Sequence, residues 1–195
     1  MKRLAVLISG GGSNLQALLA AIASGTLPAQ IVLVVSNRAG AYGLERAKRA
    51  GIETATLPLR TWLEAGGTRT TYDANVALRV AGAKPDLVIL AGWMHVFSPA
   101  FLDRIPVPVI NLHPALPGQF PGTRAIERAL EAYQRGDITE TGIMVHRVIP
   151  EVDAGPVLGA TVVPIEPGDD LETLSTRMHA AEHRLLVDVV SKLSV

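Results

Sequence analysis

Asn111 and His113 stand one residue apart at the end of an apolar run, Val107-Pro108-Val109-Ile110-Asn111-Leu112-His113. In a strand, a period of two turns both side chains to the same face, so an amide N–H and an imidazole N–H converge on one atom. Two such donors on a carbonyl oxygen stabilise the oxyanion of acyl transfer. Pro114 stops the strand. The segment from Pro114 to Gly122 holds three prolines and two glycines, which lower the cost of an ordered loop and suit a wall or a lid. Asp153, in Pro150-Glu151-Val152-Asp153-Ala154-Gly155-Pro156, falls in a turn between two late strand-like runs. Beside His113, its carboxylate would favour and orient the imidazolium and accept the proton lost by an attacking amine. Asn, His and Asp are also ordinary turn residues, and spacing alone does not bring Asp153 to His113.

A second constellation is Gly10-Gly11-Gly12-Ser13-Asn14, between an apolar strand-like run and a helix-like one. Glycines let a ligand approach the backbone, and free amides at a helix start, helped by the helix dipole, suit an anion such as phosphate. The dinucleotide fingerprint fails, because Leu15 stands at its third glycine and Ser36-Asn37-Arg38 where an acid is needed. The P-loop pattern fails too, for want of its lysine. A monophosphate or similar anion survives, beside the plainer reading of a tight turn with Ser13 as N-cap.

The elements that must position these residues alternate in type. Strand-like runs cover Leu4 to Ser9, Ile31 to Ser36, Glu53 to Leu57, Leu87 to Ala91 and Val107 to His113. Helical spacing covers the stretch after Ser13, Tyr42 to Ala50, Thr68 to Ala81 and Thr123 to Arg135, with Gly51 and Gly136 as stops. Leu87 to Ala91 is apolar throughout, as expected of a strand covered on both faces. Pro108 places the first half of its run near an edge or at the strand's beginning. Gly142 to Val148 and Val157 to Ile165 have no room for a helix between them and form a late antiparallel pair, before a closing helix from Asp170 to Leu193 with an acidic first turn. The expected fold is a single α/β domain, with a mostly parallel twisted sheet and helices on both faces.

Eighteen basic residues balance eighteen acidic ones, which argues against a surface built for nucleic acid or an acidic membrane. With no cysteine, a disulfide framework, a Cys-based zinc site and a thiol nucleophile are excluded, and a reducing cytosol is compatible. The apolar run after Met1-Lys2-Arg3 is too short for a signal peptide, and no stretch approaches the roughly 20 apolar residues needed to span a bilayer.

Taken together, Ile8-Ser9-Gly10-Gly11-Gly12-Ser13-Asn14-Leu15, Leu90-Ala91-Gly92-Trp93-Met94, Asn111-Leu112-His113-Pro114 and Val152-Asp153-Ala154-Gly155-Pro156 resemble the phosphoribosylglycinamide formyltransferases, a folate-dependent formyltransferase family, over nearly the whole chain. The resemblance implies attack by the amine of glycinamide ribonucleotide on the formyl carbon of 10-formyltetrahydrofolate, in purine synthesis and without a metal. It implies oxyanion stabilisation by Asn111 and His113, with Asp153 organising His113 and assisting proton transfer. It implies phosphate binding at Gly11, Gly12, Ser13 and Asn14, ribose binding at Glu182, and Arg69 near the substrates. It lines the folate pocket with Leu90, Met94, Val96 and Phe97, with backbone groups near His95 and from Val148 to Asp153 meeting the pterin. Taken alone, Glu182 and Arg69 read as solvated helix charges and the apolar residues as plain core.

Three positions depart from the family pattern: His95 in place of an arginine, Ile143-Met144 in place of hydroxyl residues, and Pro117-Gly118 in place of Leu-Pro. The resemblance implies a cytoplasmic enzyme, monomer or homodimer, acting on small molecules with no nucleic acid or membrane partner. The same Asn-His-Asp set occurs in methionyl-tRNA formyltransferases and formyltetrahydrofolate deformylases. The zero net charge and the length disfavour the first, and a first strand beginning almost at Met1 disfavours the second. A non-enzymatic nucleotide-binding module would account for the glycine loop but not for Asn111, His113 and Asp153.

Overall fold

In the computed structural model, which describes residues 1–193, the strands are β1 (Lys2–Ile8), β2 (Ala29–Ser36), β3 (Thr54–Thr56), β4 (Leu87–Leu90), β5 (Val109–His113), β6 (Glu140–Arg147) and β7 (Val157–Pro164). The helices are α1 (Ser13–Ala23), α2 (Tyr42–Arg49), α3 (Leu59–Glu64), α4 (Arg69–Gly82), α5 (Pro99–Leu102), α6 (Ala125–Gln134) and α7 (Leu171–Lys192). The strands form one sheet in the order β3-β2-β1-β4-β5-β6-β7. The first five run parallel, and β6 pairs antiparallel with both β5 and β7. Antiparallel pairing therefore begins one strand earlier than the β6/β7 pair read from the sequence.

Period-two alternation splits the interior into two cores. Leu4, Val6 and Ile8 of β1, Ile110 and Leu112 of β5, and Ile143 and Val145 of β6 face one side, under α1, α2, α6 and α7. Ala5 and Leu7 of β1, and Val88 and Leu90 of β4, face the other, where Tyr72, Val76 and Val80 of α4 pack with Trp93, Phe97 and Phe101. Each large apolar side chain so buried contributes on the order of 1.5–3 kcal/mol. With Ile110 and Leu112 turned to the first core, Asn111 and His113 face the second side.

The structure settles three local points. Pro108 lies just before β5, an interior strand, and its carbonyl accepts from the amide of Val88, so it marks the strand's beginning and not an edge. The short helices α3 and α5 escaped notice because neither is long enough to display a 3.6-residue period. Ser13 is the first helical residue of α1, not its cap. Gly12 takes the cap position in the left-handed region (φ 70°), and no side chain caps the helix.

Topology then selects the functional edge. The chain runs outward from β1 through β2 to β3, and β4 returns on the far side of β1. At such a reversal, open α/β sheets bind ligands beyond the carboxyl ends of their strands. Registers Leu7↔Leu90 and Leu90↔Asn111 bring the glycine loop, the segment after β4 and the end of β5 to this one edge.

Candidate active site

The centre is built on β5 and β6. Asn111 lies directly opposite His146, and His113 opposite Met144, so these four share a face. The turn between β6 and β7 folds back over them, with Asp153 at positive φ (52°). Gly155 makes this approach possible, since a Cβ there would lie 1.8 Å from the carbonyl oxygen of Arg147. Asp153 Oδ2 sits 3.3 Å from His113 Nδ1, and Asp153 Oδ1 accepts from Asn111 Nδ2 at 3.2 Å. The amide of Gly122 donates to Asp153 Oδ2 at 2.8 Å.

The electrostatics follow from this packing. Burial pulls the pKa of His113 below its ordinary value, and Asp153 with the carbonyls of Phe120 and Gln119 opposes the shift without cancelling it. Burial pushes Asp153 upward, but His146, the Gly122 amide and His113 outweigh it and hold the carboxyl below its ordinary value. His113 Nε2 faces the carbonyl of Phe120 at 3.1 Å, so an acceptor lies at each ring nitrogen.

His146 is the member that sequence reasoning missed. It is buried, with Nε2 3.2 Å from Asn111 Nδ2 and 3.4 Å from Asp153 Oδ1, and Nδ1 2.8 Å from the carbonyl of Arg147. The Arg147 carbonyl anchors the ring at Nδ1, and Nε2 faces both the Asn111 amide and the Asp153 carboxylate, so His146 ties the two together. The available signal was parity: Met144 and His146 on β6 share a face as Asn111 and His113 do on β5.

Beside this cluster lies a half-open cleft. Leu90, Met94, His95, Val96, Phe97 and Val148 line it together with Asn111, His113 and Asp153. Leu90 and Phe97 are buried, whereas Met94 and Val96 are more than half exposed, so the latter two are wall and not core. His95 is half-buried beside Trp93, at 5.9 Å between ring centroids. Burial, then the nearby Arg69 cation, lowers its pKa.

Arg69 is not a free helix charge. It pairs with the fully buried Asp73 at 2.9 Å and donates to the carbonyl of Val96, while Asp73 Oδ2 accepts from the amide of Ser98 at 2.9 Å. Together they pin the cleft wall to α4. On the opposite side of the reversal, the amides of Gly11, Gly12, Ser13 and Asn14 have no hydrogen-bond acceptor among the described residues. Glu182 is buried and not exposed, because α7 packs on α1; its Oε2 accepts from Asn14 Nδ2 at 2.9 Å. Burial raises its pKa, against the lowering effect of Asn14 and His179. Asn14 Oδ1 is buried without a partner among the described residues, which fits an acceptor kept for a ligand hydroxyl.

The chain is similar in sequence and fold to known proteins. The family model for formyl transferase matches residues 2–190. Phosphoribosylglycinamide formyltransferase of Dictyostelium discoideum is 47% identical over 97% of this chain and 96% of its own length. The trifunctional purine biosynthetic protein adenosine-3 of Drosophila pseudoobscura pseudoobscura is 44% identical over 93% of this chain, which spans 13% of that longer protein. The crystal structure of glycinamide ribonucleotide transformylase 1 from Symbiobacterium toebii superposes with a TM-score of 0.91 at 38% identity, covering 100% of this chain and 88% of that one. With the family model spanning nearly its whole length and a relative at this identity and coverage, the chain belongs to the formyl transferase family.

Proposed function

We propose that this chain transfers the formyl group of 10-formyltetrahydrofolate to the amine of glycinamide ribonucleotide, giving formylglycinamide ribonucleotide and tetrahydrofolate in purine biosynthesis. One observation carries the reading: a carboxylate within 3.3 Å of both a strand-end amide and an imidazole, beside a cleft with apolar walls. The cleft fits a flat, partly apolar donor, because Leu90, Phe97 and Val148 offer apolar walls while the turn from Val148 to Asp153 offers polar backbone.

The folate supplies an activated formyl group on nitrogen. Asn111 Nδ2–H and a His113 N–H take the charge that grows on the formyl oxygen as the amine attacks, exchanging their present protein acceptors for it. Asp153 keeps the imidazole oriented and takes the proton released by the amine, directly or through His113. The C–N bond to the donor then breaks, and that nitrogen leaves carrying the proton that the amine released, which returns Asp153 to its carboxylate. The acceptor's phosphate docks on the amides of Gly11 to Asn14, and Glu182 with Asn14 Oδ1 meets its ribose hydroxyls. The working unit is one catalytic domain, cytosolic, monomer or homodimer, with small molecules as its only substrates.

The test follows the folate's spectral change with and without the nucleotide amine. Turnover that requires glycinamide ribonucleotide and yields the formylated product is expected. Equal turnover without the amine would make the protein a deformylase, and binding without turnover would make it a nucleotide-binding module.

A further inference from the structure

The glycine loop is gripped from behind by α2. The amide of Gly43 donates to the carbonyl of Gly10 at 3.1 Å, and Arg46 Nε donates to the carbonyl of Gly11 at 2.9 Å. The same guanidinium donates through a terminal nitrogen to Gln16 Oε1 of α1 at 2.9 Å and lies over the Tyr42 ring, 4.9 Å from its centroid. Backbone meets backbone here: a Cβ on Gly12 would fall 2.7 Å from Gly43 Cα, and one on Gly43 would fall 2.4 Å from Ile8 Cδ1. On its other side the loop is open, for a Cβ on Gly10 or Gly11 would touch nothing within 4 Å.

In a trans peptide the C=O of one residue and the N–H of the next point to opposite sides of a single plane. Holding the Gly10 and Gly11 carbonyls toward α2 therefore turns the Gly11 and Gly12 amides away from α2, to the open side. A cationic donor on the Gly11 carbonyl also polarises that peptide and strengthens the Gly12 N–H as a donor. We infer that Arg46 is a positioning residue for the acceptor's phosphate, setting the peptide planes of the glycine loop without touching the ligand. This rests on the proposed reading of the loop as the phosphate site.

The experiment compares Arg46→Met and Arg46→Lys with the parent enzyme on two acceptors, glycinamide ribonucleotide and the matching riboside without phosphate, with thermal unfolding of each variant. Phosphate contacts are made in ground and transition states alike, so their weakening raises KM and spares kcat. Arg46→Met is expected to raise KM for the nucleotide about tenfold, the scale of one charged hydrogen bond, with kcat within about twofold. The KM for folate and kcat/KM for the riboside stay unchanged. Arg46→Lys is expected to recover only part of the loss, because one ammonium cannot hold Gly11 and Gln16 in the geometry of the guanidinium fork.

Equal losses on both acceptors, an unchanged nucleotide KM, or full rescue by lysine would each overturn the inference. Should Arg46→Met fail to fold, Arg46→Lys carries the same two-acceptor comparison. A parent enzyme that does not prefer nucleotide to riboside removes the phosphate site itself, and the inference with it. That result is distinct from a parent that prefers the nucleotide while its variants behave like it.

Discussion

At the scale of single residues, the centre is a set of donors sharing one carboxylate. Asp153 touches His113, His146, Asn111 and the Gly122 amide, so removing it unties all four. Asn111→Ala, His113→Ala and Asp153→Ala are each expected to lower kcat by about 10²-fold or more, the usual cost of a lost oxyanion donor or its organiser. Steady-state kinetics with saturating folate would check this, and unchanged turnover would remove that residue from the chemistry. The buried imidazole has a second consequence. Because burial depresses the folded pKa of His113 below the ordinary 6.5, the unfolded chain binds more protons in the window below that value, and stability rises with pH there. The wild type should therefore lose Tm as pH falls from the ordinary histidine value through the lowered folded one. His113→Gln should lose this part of the slope, and a Tm–pH curve identical to the wild type's would refute it. Asn111 and His113 were legible in the sequence because parity along a strand is local. His146 and Asp153 were not placed by it, since their positions depend on cross-strand register and on a turn at positive φ.

At the scale of elements, α4 matters as a clamp. Its N-terminus is secured by a capping box between Thr68 and Thr71, and its first turns carry Arg69 and Asp73 to the segment after β4. Asp73→Ala removes a buried acceptor from the Ser98 amide and a partner from Arg69, which costs about 1.5–3 kcal/mol of stability. The loosened wall is expected to raise KM for folate more than it lowers kcat. Thermal unfolding and a folate titration would check both, and a wild-type folate KM would show that the wall stands without the clamp. A helical pattern over Thr68 to Ala81 is readable from apolar spacing, but the Asp73 contact is not, because Ser98 lies 25 residues away and meets it only after α4 packs on the sheet.

At the scale of the whole molecule, the site exists because one sheet is both parallel and antiparallel. Parallel strands bring the glycine loop and the segment after β4 to the same edge, and the antiparallel β5–β6–β7 array returns a turn to that edge so that Asp153 reaches β5. Gly155→Ala tests this return. Its methyl group meets the Arg147 carbonyl, so the turn must shift, with an expected destabilisation of about 1–3 kcal/mol and a fall in kcat of about tenfold or more as Asp153 leaves His113. Wild-type kcat in a folded variant would show that the turn's return is not what places the acid. By itself the sequence determined the alternation of strands and helices, the face shared by Asn111 and His113, and the glycine loop at a helix start, all of which follow from periodicity and backbone freedom over a few neighbouring residues. Only the tertiary structure decided that Asp153 and His146 complete the centre, that Glu182 is buried on Asn14, and that Arg46 grips the loop. The contacts of Asp153 and His146 with Asn111, of Glu182 with Asn14 and of Arg46 with Gly11 join residues 35 to 168 positions apart, and hydrophobic packing of the layers, blind to the chemistry of the polar groups it carries, is what brings them within hydrogen-bond reach.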